Sequence, residues 1–356
     1  VIHYMAARLG MWAAVVAPAA LWNSLALASE DPMAGSVLDQ IVVTATRVET
    51  TLVEVPASIA VRDLAELRAD GFTFGTDEYR GVPGVFFRRG EGDGDEFPFV
   101  SFRGSLGTEG SLSMIDGVPL VGLYEETQLN EVPYDAIERV EIVKGPVSAL
   151  YGRGALYGAT NYITRSAREA RSAATVTLGS DDFVRGDLAL SRPLAGGGGI
   201  LGSASYEDYG GWREQGGRRI WNLFGKLEAD IGERTALTSY ATYTDRDSEL
   251  PNGIPLDADG NLVPFSGGRE GFLGFEEPRT QSDSLMLGAR LQHRLDRGPV
   301  LALTAHGREI ERNSRLNFFD PFGVDLSRNV IGMNGFLGDT RQRVAYLEGT
   351  AEWNLE

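Results

Sequence analysis

The chain has 356 residues, 33 Lys and Arg against 50 Asp and Glu, and a formal net charge of −17. That charge argues against non-specific nucleic-acid binding. The absence of cysteine excludes a disulfide framework and any Cys-based metal site, and 45 glycines at an ordinary 42% hydrophobic content imply many tight turns between strands.

The first element reads as an export signal over residues 1–28. Arg8 precedes the apolar run LGMWAAVVAPAALW (9–22), and Ala26-Leu27-Ala28 forms an A-x-A cleavage pattern that leaves Ser29 first in the mature chain. The run falls short of the ~20 apolar residues that span a bilayer. Residues 29–48 read as a flexible lead-in holding the β-prone segment DQIVVTATR (39–47). VPASIAVRDLAELRADGF (55–72) then predicts a strand and a helix: Asp63 caps it, Glu66 stands at capping-box spacing, and Gly71 stops it. GVPGVFF (81–87) and FVSFRG (99–104) predict short strands joined by the acidic, Gly-rich loop 88–98. SMIDGVPL (113–120) predicts two strands about an Asp-Gly turn. YDAIERVEIVKGPVSALYG (134–152) predicts a short helix, a strand with apolar Val140 and Ile142 between charged residues, a turn and a small helical segment.

GVPGV, then FRG (102–104), MIDGVPL (114–120) and IERVEIVKGPVSALYGRGALYGATNYIT (137–164) stand in the order of the plug-domain signature. On these motifs the chain resembles TonB-dependent outer-membrane receptors, most closely the ferric-siderophore receptors. The resemblance covers about residues 39–168 and implies an α+β plug domain over 49–168. Its signature positions are Arg103, Gly104, Asp116, Gly117, Gly145, Pro146, Tyr151, Gly152 and Asn161. It also implies that Ile41, Val42, Val43, Thr44 and Ala45 form a TonB box, gripped from the periplasm by an energy-transducing protein. The family usually has a Gly-Gly pair and an aliphatic residue where this chain reads Tyr157-Gly158-Ala159-Thr160-Asn161.

Beyond Arg168 the texture changes to segments of roughly ten residues that alternate apolar and polar, as transmembrane β-strands do. In WNLFGKLEADI (221–231), Trp221, Leu223, Leu227, Ala229 and Ile231 share one side, and Asn222, Lys226, Glu228 and Asp230 the other. Eight such strands are predicted, near 172–179, 183–192, 200–208, 221–231, 235–246, 283–295, 299–311 and 342–355. After the first connection every second one is short. That pattern fits tight periplasmic turns and long external loops better than a soluble sandwich.

Residues 169–356 are therefore expected to form antiparallel transmembrane β-barrel strands. Strands ~4.8 Å apart and tilted by ~40° close eight to a diameter of roughly 16 Å, and 22 to roughly 44 Å. A plug ~35 Å wide fits only the larger barrel. The expectation is thus of an incomplete barrel, about eight strands of 22.

The resemblance implies a gated importer in the outer membrane of a Gram-negative cell, taking up a ferric chelate through plug and barrel. Vitamin B12, haem or oligosaccharide are alternative ligands, and an exported binding or signalling protein is the alternative class. Arg88, Arg89, Phe97 and Tyr124 are the candidate substrate contacts, because Arg and aromatic side chains suit planar anionic chelates. No G-x-S-x-G, H-E-x-x-H or triad is present. The chain is expected to be neither an enzyme nor a holder of a cofactor or resident metal. An N-terminal strand without a packed partner would be cheap to extract.

Overall fold

The computed structural model describes residues 42–43, 50–51, 58–69, 71, 77–88, 99–105, 110–120, 132–148, 154–251, 259, 261, 268–272, 278–296, 298–319 and 333–352. All of them fall in one compact unit, Ile41–Glu356. The predicted export signal lies outside the described residues.

Strands β1 (Val42–Val43) and β2 (Thr50–Thr51) pair antiparallel. This corrects the expectation of an unpartnered N-terminal strand: the chain's own continuation supplies the edge, through two residue pairs only. The next elements are β3 (Ser58–Asp63) and the helix α1 (Leu64–Ala69). Asp63 caps α1 as its spacing predicts, Oδ1 accepting the Ala65 N–H at 2.7 Å. Gly71, at φ +80, stops it in the left-handed region.

β4 (Val85–Arg88) and β5 (Phe99–Phe102) form a hairpin. β6 (Ser111–Ile115) and β7 (Val118–Pro119) flank the Asp-Gly turn. β8 (Ile137–Lys144) is followed by β9 (Gly158–Thr164). Five of these make one sheet in the order β3-β8-β9-β6-β7, with β6 and β9 parallel. β9 is central and the sequence reading did not assign it, because GATNYIT offers small and polar residues where an apolar run would have announced a strand. Charged residues do not simply alternate out of β8 either. Glu141 is fully buried and paired with Arg139 at 2.9 Å.

The remaining chain is one antiparallel sheet of consecutive strands. They are β10 (Arg171–Leu178), β11 (Val184–Pro193), β12 (Gly199–Tyr209), β13 (Arg218–Ile231), β14 (Thr235–Glu249), β15 (Arg279–Arg294), β16 (Val300–Phe319) and β17 (Met333–Glu352). All eight predicted strands are present, and β16 and β17 exceed their expected lengths most. The added stretches of β16 and β17, such as Arg312–Arg315 and Asp339–Arg341, are polar on both faces, so no alternation marks them in sequence.

One face of this sheet packs on the plug: Leu201, Phe224, Tyr240 and Met286 join the plug residues Phe102, Ile115, Ile137 and Tyr162 in a single core. The opposite face leaves large apolar side chains exposed, among them Leu188, Leu190, Leu223, Leu285, Leu287, Leu301, Leu303 and Leu347. Register places them in continuous rows. Leu188, Ala204, Leu223, Tyr243 and Leu285 lie side by side across five strands. On β13 the outward apolar set runs from Trp221 to Ile231, a band of roughly 25 Å at a strand tilt near 40°. Water penalises such a surface and hydrocarbon accepts it.

Candidate functional site: the plug against the barrel wall

The plug signature residues that are described fall into two groups. Arg103 (φ +51) and Gly104 (φ +80) form the turn after β5, and the Arg103 backbone N–H donates to Gly84 O at 2.7 Å. The Arg103 guanidinium lies against Gly145, where an added Cβ would meet Nη1 at 3.4 Å. Pro146 follows, exposed. The second group is the turn Asp116-Gly117, with both residues at positive φ (+47 and +79), as a two-residue hairpin requires.

β9 holds that turn. Asn161 Oδ1 accepts the Gly117 N–H at 2.9 Å, and the Asp116 carboxylate accepts the Thr164 N–H at 2.9 Å and its hydroxyl at 2.6 Å. Tyr151 and Gly152 lie outside the described residues, as do Ile41, Thr44 and Ala45 of the TonB-box segment. Of the candidate substrate contacts, Arg88 ends β4, its side chain outside the described set; Arg89, Phe97 and Tyr124 are outside it entirely.

The plug core carries a buried polar cage. Glu78, fully buried, accepts the Tyr162 hydroxyl at 2.5 Å and the Tyr134 hydroxyl at 3.3 Å, while Tyr79 donates to Thr160 at 2.9 Å. Burial, reinforced by the nearby Glu78 carboxylate, pushes the Tyr79 and Tyr162 phenols well above their ordinary range. Gly158 explains its own presence: a Cβ there would sit 2.6 Å from Val143 O and 2.7 Å from the Phe102 ring.

The plug meets the wall through charge as well as apolar packing. Lys226, Glu228 and Asp230 stand two residues apart on β13 and so point to the same, inner face. Lys226 Nζ donates to Thr164 Oγ1 at 2.8 Å and pairs with Glu228 at 2.8 Å. Arg168 pairs with Glu228 at 3.2 Å and with both oxygens of Asp230, at 2.6 and 2.8 Å. Thus the stretch from Thr164 to Arg168, which leads from plug to barrel, is fastened to the fourth barrel strand. A second tie runs through Asp135, which pairs with Arg68 of α1 at 3.0 Å and with Arg185 of β11 at 3.4 Å. Arg185 continues to Glu207 at 3.2 Å, and Glu207 to Arg218 at 2.5 Å.

The sequence reading placed Lys226, Glu228 and Asp230 on one side of a strand but gave them no role. Their alternation was the available signal; the partners some 60 residues away were not.

Among the connections at the outer ends of the strands, 210–217 and the segment around 270 are tied together. Glu214 N–H donates to Glu270 O at 2.7 Å, Phe272 N–H to Glu214 Oε2 at 3.2 Å, and Arg213 Nη2 to Gly271 O at 3.1 Å.

An α+β plug seated against the polar face of an antiparallel sheet whose other face is apolar defines a class: plugged β-barrel proteins. Residues 51–159 match the family model of the TonB-dependent Receptor Plug Domain. The chain is 33% identical over 175 residues to the vitamin B12 transporter BtuB of Vibrio vulnificus, covering 49% of this chain and 28% of that protein. It is 30% identical over 251 residues to the ferripyoverdine receptor of Pseudomonas aeruginosa, covering 67% and 29% respectively.

Among solved structures, P. aeruginosa FpvA bound to heterologous pyoverdines superposes with a TM-score of 0.69 at 22% identity, over 88% of this chain and 45% of that one. The ferric-catecholate import receptor Fiu of E. coli K12, in its open form, gives 0.67 at 18%, over 84% and 46%. The chain belongs to the TonB-dependent outer-membrane receptors, as a plug domain followed by strands of the barrel. It spans under a third of the length of these two curated relatives. By name one relative is a transporter and the other a receptor.

Proposed function

We propose that the chain is part of an outer-membrane receptor of a Gram-negative cell, for TonB-dependent active uptake of a ferric siderophore. In this reading residues 1–28 export it, and Ile41–Ala45 is the segment pulled by a TonB-type periplasmic protein. Plug residues 49–168 gate the barrel strands of 169–356. Arg88, Arg89, Phe97 and Tyr124 contact the chelate at the outer mouth.

The observation that carries the reading is the sidedness of the eight-stranded sheet: apolar rows outward, ionic and hydroxyl groups inward, with the inward face fastened to a plug. The likeness to the ferripyoverdine receptor supports the chelate. The likeness to the vitamin B12 transporter keeps a corrinoid as the second reading.

The test is to express the gene in a strain lacking its own ferric-siderophore and vitamin B12 receptors, fractionate the envelope, and follow labelled ferric chelate and labelled vitamin B12. Outer-membrane recovery, heat-modifiable migration on a gel and TonB-dependent accumulation of the chelate are expected. Recovery in the soluble periplasm would refute the assignment.

A further inference from the structure

The wall carries a polar cavity at the end of the sheet opposite the outer mouth. Its volume is about 580 Å³, within the range of small-molecule sites. Gly196, from the turn between β11 and β12, lines it on one side, and Gly232, Glu233 and Arg234, from the turn between β13 and β14, on another. Gln292 and Arg294 of β15 also line it. They alternate with the exposed row and share the inward side of that strand with the plug-packed Met286.

The charges around the cavity divide into those already matched and those that are not. Asp230 is held by both terminal nitrogens of Arg168, at 2.6 and 2.8 Å. Arg234 pairs with Asp296 of the next turn, and Thr235 is hydrogen-bonded to His293 at 2.8 Å. Among the described residues none pairs with the Arg294 guanidinium, the Glu233 carboxylate or the Gln292 amide. The Arg294 backbone N–H donates to Arg234 O at 2.9 Å, which holds Arg294 level with the turn that carries Glu233. Gln292 stands two residues from Arg294 on the same side of the strand, ~7 Å away.

The cavity therefore offers an unmatched cation, an unmatched anion and an amide within the length of one small molecule. A plain anion gains from Arg294 and is repelled by Glu233, and a plain cation meets the converse; a zwitterion gains from both. The guanidinium fork matches a carboxylate, the Glu233 carboxylate accepts from an ammonium group, and the Gln292 amide both donates to and accepts from a peptide bond.

We propose that this cavity is a periplasm-facing binding site for a small zwitterion, a free short peptide. Arg294 takes its carboxylate, Glu233 its ammonium group and Gln292 an amide between them. Only the orientation of the sheet comes from the receptor reading above; the peptide is a second ligand, separate from whatever enters at the outer mouth.

The test uses the protein purified in detergent from outer membranes of its expression host, with isothermal titration calorimetry. The probes are triglycine, N-acetyl-triglycine, triglycine amide and N-acetyl-triglycine amide. The variants are R294Q and E233Q, both at exposed positions, with folding checked by heat-modifiable migration.

Triglycine is expected to bind the parent saturably and to lose roughly 10-fold or more when either end is blocked. Acetylating the peptide should cost nothing further in E233Q, and amidating it nothing further in R294Q, because the partner of that end is already gone. Absence of saturable triglycine binding to the folded parent, equal binding of the doubly blocked peptide, or parent-like binding by folded R294Q each overturns the proposal and leaves the receptor reading intact. If the protein is not recovered from outer membranes, the orientation of the sheet is lost, and the receptor reading and the proposal fall together.

Discussion

At the scale of single residues, the plug tolerates buried carboxylates only because phenols and arginines surround them. Tyr162→Phe removes the 2.5 Å hydrogen bond to the buried Glu78, and a charged acceptor that loses a donor costs about 1.5–3 kcal/mol. Urea unfolding followed by near-ultraviolet circular dichroism should show that loss. The same phenols set an alkaline limit. In the unfolded chain they titrate near 10.0, and in the plug higher, because burial and Glu78 oppose the phenolate. Their contribution is therefore complete below about pH 10 and drains away as pH climbs beyond it. A spectrophotometric titration should find these tyrosines ionising only as the plug unfolds. Gly158→Ala drives a methyl into Val143 O and the Phe102 ring, a clash worth about 1–3 kcal/mol, read as a lowered unfolding midpoint.

At the scale of elements, outward and inward positions of one strand should answer oppositely to charge. Leu223→Arg puts a cation into the exposed apolar row of β13, at about 2–4 kcal/mol near the middle of a bilayer; outer-membrane yield and heat-modifiable migration should both fall. Lys226→Met acts through the plug instead. It breaks the tie to Thr164 and Glu228, and proteolysis between Thr164 and Ala170 should accelerate while the strand itself persists. The eight wall strands were legible because alternation over ten residues is a strong local signal. The ends of β16 and β17 were not, since Arg312–Arg315 and Asp339–Arg341 are polar at every position and leave no alternation to read. The Asp63 cap and the Asp-Gly turn could be read from three or four neighbouring residues. The Asp135–Arg185 and Arg168–Asp230 ties join residues 50 and 62 apart, and no local pattern encodes such distances.

For the whole molecule, stability is unevenly spread. β9 pairs on both sides, with β8 and β6, whereas β3 pairs only with β8 at the edge of the plug sheet. Hydrogen exchange should therefore be slowest in Ala159–Ile163 and faster in Ser58–Asp63, a ranking that mass spectrometry of peptic fragments can check. The ionic ladder on β13 has a practical corollary for chimaeras. Cutting between Arg168 and Arg171 separates the two folds on paper. It parts Arg168 and Thr164 from Lys226, Glu228 and Asp230, which hold them from the far side of the cut. A plug transplanted between receptors should keep its seat only if those three donors and acceptors travel with it.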